Sequence, residues 1–183
     1  MIDLIILDKN LLPIGLIDNF ISLIWAKRYN TVGDCELKLA ATADNIDLLK
    51  RDYYISRRDD DMVCRIMKIE IDTSKDEGNI LIITGYDAKQ LLDQRILWGR
   101  ATCKGNLELF IRKIVQNACC TGHAASDRVF KKFNGGDLIE LGSLGNDGEG
   151  LKTRYSEQSS YKNLGEKIRE YCKSNGWGYR LRY

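Results

Sequence analysis

IDNFISLIWAKRYNTVGDCELKLAA, residues 17–41, holds the pattern that decides the fold of this chain. It contains two apolar segments joined by a short polar connection. In the second segment Cys35, Leu37 and Leu39 alternate with charged residues, and a period of two places them on one face of a strand. The connection at residues 30–33 is rich in residues that favour turns. The stretch therefore predicts a half-buried strand that follows a turn.

The first apolar segment ends near Trp25, which is followed closely by Lys27, Arg28 and Tyr29. A large aromatic residue beside two cations at the end of a strand is often part of an interface. The same aromatic residue can instead close the hydrophobic core. The pattern alone leaves both interpretations open.

Residues 1–100 have the pattern of a β-rich subdomain. Two pairs of short apolar segments, each separated by a polar turn, predict two hairpins. The adjacent apolar residues Ile66 and Met67 interrupt the second hairpin, which a bulge or a strand covered on both faces would explain. These elements favour a β-roll or small barrel. Strands are predicted at residues 2–7, 16–25 (one strand or two), 34–41, 53–57, 62–72 and 79–84, and short helices at residues 42–50 and 88–94.

Residues 101–183 carry the pattern of a second subdomain, of the α+β type. Asn106 can cap a helix that runs to about residue 118. Residues 134–160 contain six glycines and few large apolar side chains, so we expect a long loop or loose hairpin there. A last helix, capped by Ser159 or Ser160, and a strand at residues 177–183 follow. The predicted fold class of the chain is α+β.

Length and charge limit the possible classes of protein. The 183 residues fit one large domain or two small ones, and 44% hydrophobic with 30% charged residues is usual for a soluble globular protein. A net charge of +2 gives no electrostatic reason to expect nucleic acid or an anionic membrane as a partner. The apolar runs are too short to span a membrane, and the first residues lack the features of a signal peptide. We expect synthesis in the cytoplasm.

The sequence offers little catalytic chemistry. Cys119, Cys120 and His123 form the one compact set of potential nucleophiles or metal ligands. They could form a metal site or a Cys–His dyad, but adjacent cysteines rarely chelate one ion and the spacing is short for a dyad. We expect buried thiols at the end of a helix and an exposed histidine. The acidic residues 59–61 predict a solvated turn rather than a cation site.

No catalytic, cofactor-binding or metal-binding residue is therefore predicted, and the chain is not expected to be an enzyme. Carboxylate pairs occur within residues 134–160, where no rigid site would tune their pKa values. Without an export signal, the cysteines that fall within apolar patterns are expected to be reduced and buried. These are Cys35, Cys64 and Cys172.

The central stretch also resembles the opening of siphophage and prophage tail-tip proteins, hub-like proteins related in fold to the baseplate hub of contractile phages. The resemblance is carried by an ordered set of residues and covers residues 1–130 well and the remainder weakly. It continues in a strand ending at Gly85, a short helix with two leucines, Arg95, and a helix ending near Asn117. The set in the opening is Ser22, Leu23, Ile24, Trp25, Arg28, Tyr29, Gly33, Glu36, Leu37, Lys38 and Leu39.

The resemblance implies a virion structural protein of the tail tip that links the tail tube to the host-recognition apparatus. It implies a homotrimeric ring that assembles with the tail-tube and distal tail proteins. Trp25, Arg28, Tyr29 and Arg95 are the implied interface or junction residues. Family members continue beyond this length, so the chain is expected to be the N-terminal part of a longer hub or a short version of one.

Two alternatives remain open from the sequence. The chain could be the scaffold of a tail-associated cell-wall hydrolase whose catalytic region lies elsewhere. It could also be a carbohydrate- or receptor-binding module, in which exposed aromatic residues such as Trp98 and Trp177 stack on sugars.

Overall fold

The computed structural model describes residues 2–74, 78–132, 134–143 and 154–182. The chain divides into two compact units, one formed by residues 1–90 with residues 176–183 and the other by residues 91–175. The described residues form an α+β structure with a large antiparallel sheet, which confirms the predicted fold class.

A seven-stranded antiparallel sheet dominates the first unit, and its strands follow the spatial order β2-β1-β5-β6-β7-β4-β3. Both predicted hairpins are present as the pairs β1–β2 and β6–β7. The strands are β1 (Leu4–Leu7), β2 (Pro13–Ile17), β3 (Ser22–Ala26), β4 (Asp34–Ala40), β5 (Tyr54–Arg57), β6 (Val63–Ser74) and β7 (Gly78–Asp87).

Strand β4 shows why the sheet forms. Cys35, Leu37 and Leu39 are buried on one face, as the alternation predicted, while the charged residues between them are only half-buried. In the register of the sheet, Leu37 lies between Leu23 on β3 and Ile83 on β7. Burial of one face of each strand supplies the hydrophobic driving force for the sheet.

Two details of the sheet resolve alternatives that the sequence left open. The apolar stretch at residues 16–25 does not form one long strand. It contains the end of β2 and most of β3. The register of β6 shifts between Ile66 and Lys68, which confirms a bulge. Among the described residues, β2 and β3 each pair on one side only, so the sheet is open and the closed-barrel alternative is not seen.

The core of the first unit is continuous beneath the sheet. Helix α1 (Ala43–Leu48) begins after Thr42, whose hydroxyl accepts a hydrogen bond from the backbone N–H of Asn45 at 3.2 Å. The buried cluster consists of Leu4, Ile6, Ile17, Cys35, Leu37, Leu39, Leu49, Ile55, Met62, Cys64, Ile66, Leu81 and Ile83.

A 3₁₀ helix (Ala88–Gln94) crosses from the first unit into the second. The second unit contains strands β8 (Arg100–Asn106) and β9 (Arg154–Ser160) with helices α2 (Leu107–Cys119) and α3 (Leu164–Asn175). Asn106 caps α2, as predicted, because its side chain accepts a hydrogen bond from the N–H of Leu109 at 2.8 Å. The edge-to-face pair Phe110 and Tyr171 joins the two helices, with ring centroids 6.0 Å apart.

Three predictions about the C-terminal half are wrong within the described residues. The loop expected at residues 134–160 ends in strand β9, although residues 144–153 of that prediction lie outside the described residues. Asn163, rather than Ser159 or Ser160, caps α3 by accepting from the N–H of Glu166 at 2.9 Å. Residues 177–182 form no strand with any described residue.

All six cysteines are free and buried. No helix in the described part of the chain is long and apolar enough to cross a membrane.

Candidate functional site

A cleft of about 600 Å³ in the first unit lies beside the turn that follows β3. Lys27, Arg28 and Tyr29 line one side of it, and residues 178–181 line the other. The structure therefore brings two of the predicted interface residues, Arg28 and Tyr29, into one surface feature.

A buried ion pair forms part of the cleft wall. Lys89 is 2% exposed, and its ammonium group lies 3.2 Å from the carboxylate of Asp87. The same ammonium donates a hydrogen bond to the carbonyl oxygen of Arg28 at 2.7 Å and lies 5.2 Å from the ring centroid of Tyr179. Because a buried charge is costly unless its donors are satisfied, this arrangement fixes the backbone of the β3 turn.

The side chains of Arg28 and Tyr29 have different roles in the turn. The guanidinium of Arg28 donates to the carbonyl oxygen of Val32 at 2.9 Å and pairs with the carboxylate of Asp34. Tyr29 is 70% exposed, and a side chain at Gly178 would collide with its ring. Arg28 thus braces the turn while Tyr29 presents an aromatic surface.

Asp61 ties residues 176–182 to the rest of the first unit. Its carboxylate accepts from the ammonium of Lys27 and from the guanidinium of Arg180 at 2.6 Å, and Arg182 lies 3.6 Å away. The hydrogen bond from Lys27 is the main reason that the pKa of Asp61 lies below its ordinary value. The hydrogen bonds that Lys27 donates to Asp61 and Asp60 raise the pKa of Lys27 in turn.

Trp25 lies on β3 and packs against the hydrophobic core with its side chain partly buried. The guanidinium of Arg57 lies 5.7 Å from its ring centroid. Its indole nitrogen is buried and has no hydrogen-bond partner among the described residues. Trp25 therefore contributes to the core at the same time as it sits on an edge strand of the sheet.

Arg95 belongs to the second unit, apart from the other three predicted residues. Its guanidinium donates to the carbonyl oxygen of Arg128 at 2.7 Å and lies 3.7 Å from the ring centroid of Phe130. Burial lowers the pKa of Arg95 from its ordinary value. These contacts hold the backbone at residues 128–130 in place.

Sequence reasoning missed the two edges of the large sheet. Strands β2, with the sequence PIGLI, and β3, with SLIWA, contain no charged residue. Edge strands are usually protected by charges, prolines or covering elements, and here Pro13 removes one backbone donor at the start of β2. The aliphatic side chains that lie in or directly before these strands are 45% to 62% exposed: Leu12, Ile14, Leu16, Ile21 and Ile24.

The Cys119, Cys120 and His123 set lies in the second unit as expected, with buried thiols and an exposed histidine. Burial, followed by the neighbouring Cys120 thiol, raises the pKa of Cys119 to about 12, so this thiol is protonated at neutral pH. Among the described residues no group of three or more histidine, cysteine or carboxylate side chains could hold a metal ion.

The fold is similar to that of a known tail protein. The crystal structure of prophage tail protein gp18 from Listeria monocytogenes matches with a TM-score of 0.58 and 12% sequence identity. The match covers 91% of this chain and 44% of the Listeria protein, so the chain spans less than half of that protein's length. No curated protein sequence matches significantly.

The chain therefore shares its fold with a prophage tail protein. Residues 3–183 match the Siphovirus ReqiPepy6 Gp37-like protein family, and the chain belongs to that family. Family membership confirms the predicted relation to siphophage proteins, and the shared fold confirms the predicted likeness to prophage tail proteins. Both comparisons agree with the expectation of a non-enzymatic role.

Proposed function

We propose that the chain is a hub-like component of a phage tail tip, which links the tail tube to the host-recognition apparatus and acts by oligomeric assembly. The observation that carries this proposal is the pair of uncharged strands, β2 and β3, at the two opposite edges of one sheet. Such edges present unpaired backbone groups together with exposed aliphatic side chains.

The two edges differ in sequence, so the simplest contact joins β2 of one copy to β3 of the next. A contact between two different surfaces generates a ring when the rotation closes. A closed ring of three copies would pair both edge strands, β2 and β3, of every copy, and the resemblance to tail hubs implies such a ring. The backbone pairing of residues 14–17 with residues 22–26 would supply most of the hydrogen bonds.

The proposed interface residues fit this arrangement in different ways. Trp25 lies within β3, and Arg28 and Tyr29 follow directly after it. Tyr29 would act as an exposed aromatic anchor, while Arg28 and Lys89 would hold its backbone. Arg95 would serve a junction with another tail protein, of which the tail-tube and distal tail proteins are the proposed partners.

Light scattering across a concentration series tests the assembly directly. The chain should be a trimer, and Ile24→Glu, which places a charge on the β3 edge, should give monomers. The matched control is Ile71→Glu, because Ile71 is equally exposed but lies on β6, which is neither of the two edge strands in the proposed contact. A monomer at every concentration, or a trimer that Ile24→Glu leaves intact, would overturn assembly through this edge.

Trp25→Ala separates an interface role from a core role. Loss of the trimer with an unchanged circular dichroism spectrum supports the interface. Loss of the folded monomer would place the contribution of Trp25 in the core instead. Capture of the wild-type trimer by purified tail-tube protein of the same phage supports the hub-like position, and absence of any complex with it counts against that position.

A further inference from the structure

Two large aromatic side chains are exposed side by side in the second unit. Trp98 is 68% exposed and Tyr161 is 65% exposed, and their rings meet edge to face with centroids 5.9 Å apart. We refer to these two residues as the aromatic corner. Exposed aromatic pairs of this size are uncommon on a polar surface unless they contact a ligand or partner.

The backbone holds the aromatic corner in a fixed geometry. The N–H of Leu97 donates to the carbonyl oxygen of Lys162 at 2.8 Å, and the N–H of Tyr161 donates to the carbonyl oxygen of Leu97 at 2.9 Å. An antiparallel bridge between Ile96 and Asn163 continues this pairing. The two rings are therefore ordered before any ligand arrives, which reduces the entropy cost of binding.

Tyr161 adopts a strained conformation to occupy its position. Its φ of 54° lies in the left-handed region, which bulky non-glycine residues rarely enter. Such a conformation is energetically unfavourable, and similar outliers cluster at ligand sites. Because the ring is mostly exposed, burial of the side chain does not explain why the chain keeps this conformation.

A cation lies against the aromatic corner. The guanidinium of Arg128 is 5.5 Å from the ring centroid of Trp98. One of its terminal nitrogens is buried and has no hydrogen-bond partner among the described residues. A buried guanidinium nitrogen without an acceptor is costly, so an acceptor supplied by a ligand would relieve this cost.

A small cleft adjoins Trp98 on β8 and α2. Its volume is about 120 Å³, which is close to the size of a cavity that accepts one six-membered ring. Arg100 and Lys113 line it together with the polar residues Thr102 and Asn117. No carboxylate in the described part of the chain forms an ion pair with either cation, so the described residues give the cleft a positive charge.

We infer that the aromatic corner and this cleft form a binding site for a saccharide that carries an anionic group. The apolar C–H face of a sugar ring packs on an aromatic ring, because both surfaces leave water. The hydroxyl groups find partners in Thr102 and Asn117. A carboxylate or phosphate substituent accepts charge-assisted hydrogen bonds from Arg100 and Lys113.

Single-stranded nucleic acid is the alternative ligand, because its bases could stack on the aromatic rings and its phosphates could contact the cations. The small size of the cleft and the low net charge of the chain disfavour this alternative. The test therefore includes both classes of polymer. Isothermal titration calorimetry of the full chain would use alginate oligosaccharides as the source of carboxylates and phosphomannan fragments as the source of phosphates. Neutral dextran and a dT20 oligonucleotide complete the set.

At least one acidic saccharide should bind, and dextran should not. Trp98→Ala and Arg100→Ala should each weaken that binding at least tenfold. Two controls should leave the binding unchanged: Lys104→Ala, which removes another exposed positive charge from β8, and Tyr29→Ala, which removes an exposed aromatic ring from the first unit. Whichever of alginate and phosphomannan binds more tightly identifies the anionic group.

Three results would overturn the inference. They are no binding of either acidic saccharide, binding that Trp98→Ala does not alter, and tighter binding of dT20 that competes with the saccharide. Circular dichroism of each variant confirms that a lost affinity does not reflect an unfolded second unit. None of these results depends on whether the chain forms a trimer.

Discussion

The sheets of the two units are stabilised by different sources of apolar contacts. In the first unit, strands such as β4 carry alternating apolar residues, and the sheet forms its own core. In the second unit, β8 (RATCKGN) and β9 (RYSEQSS) are mostly polar and pair with each other. The buried faces of α2 and α3 supply the apolar contacts there. A sheet can thus be specified by its own pattern or by the helices that cover it.

Each unit also contains one buried lysine among its described residues, and replacing this lysine should have the largest effect on stability. Lys89→Met should lower the free energy of unfolding by about 3–5 kcal/mol, because it leaves Asp87 buried without its partner. Lys167→Met in the second unit should cost less, since Glu170, one of its two carboxylate partners, is mostly exposed. Urea denaturation followed by circular dichroism measures both.

An equal loss in the free energy of unfolding for the two variants would contradict this expectation. A double variant, Lys89→Met with Asp87→Asn, provides the control. It should recover part of the lost stability, because the uncompensated charge is gone.

Replacing a core residue of the large sheet should have the next largest effect. Leu37→Ala should destabilise the chain by about 2–5 kcal/mol, because Leu37 is fully buried between β3 and β7. Thr102→Ala on the polar strand β8 should change stability by less than about 0.5 kcal/mol. Hydrogen exchange should show loss of protection within β4 and β7 for Leu37→Ala. A similar loss of stability for Leu37→Ala and Thr102→Ala would contradict this expectation.

A glycine in each unit sharpens the comparison further. A Cβ at Gly85 would lie 2.7 Å from the carbonyl oxygen of Arg65 and 3.0 Å from the Cys35 sulfur. Gly85→Ala should therefore cost about 1–3 kcal/mol through overpacking. Gly142 in the second unit has open space at this position, so Gly142→Ala should leave the thermal midpoint nearly unchanged.

The smallest effect concerns pH. The pKa of Asp61 is lowered in the folded state, chiefly by the hydrogen bond from Lys27. The contribution of Asp61 to folding stability is therefore fully present above its unfolded pKa of about 4. It is lost as the pH falls through the folded pKa. Asp61→Asn should reduce stability by less than about 1 kcal/mol at pH 7, and this difference should shrink steadily as the pH falls below about 4. A difference that does not change with pH would assign the effect to packing.

The sequence predicted most of the first unit because local and tertiary preferences agree there. The alternation in β4, the Thr42 cap and the bulge after Ile66 all have local causes. Strand β9 could not be predicted, because its polar residues form a strand only through pairing with β8. The alternation at residues 177–182 is present in the burial of Trp177, Tyr179 and Leu181, although no described strand pairs with it.

The candidate site was less predictable than the fold. Arg28 and Tyr29 were found from their aromatic and cationic pattern, and the structure places both at the cleft. Lys89 was missed, because the only signal is its spacing from Asp87 just before two buried leucines. The uncharged sequences of β2 and β3 were visible, but their position at opposite edges depends on a strand order that the sequence does not determine.

A mixing experiment tests the central claim, that β2 of one copy pairs with β3 of the next. Leu16→Glu blocks the β2 edge and Ile24→Glu blocks the β3 edge, so each variant retains one functional edge. Light scattering should give a monomer for each variant alone and a dimer for an equimolar mixture of the two. A mixture that remains monomeric, or a trimer formed by either variant alone, would contradict the claim.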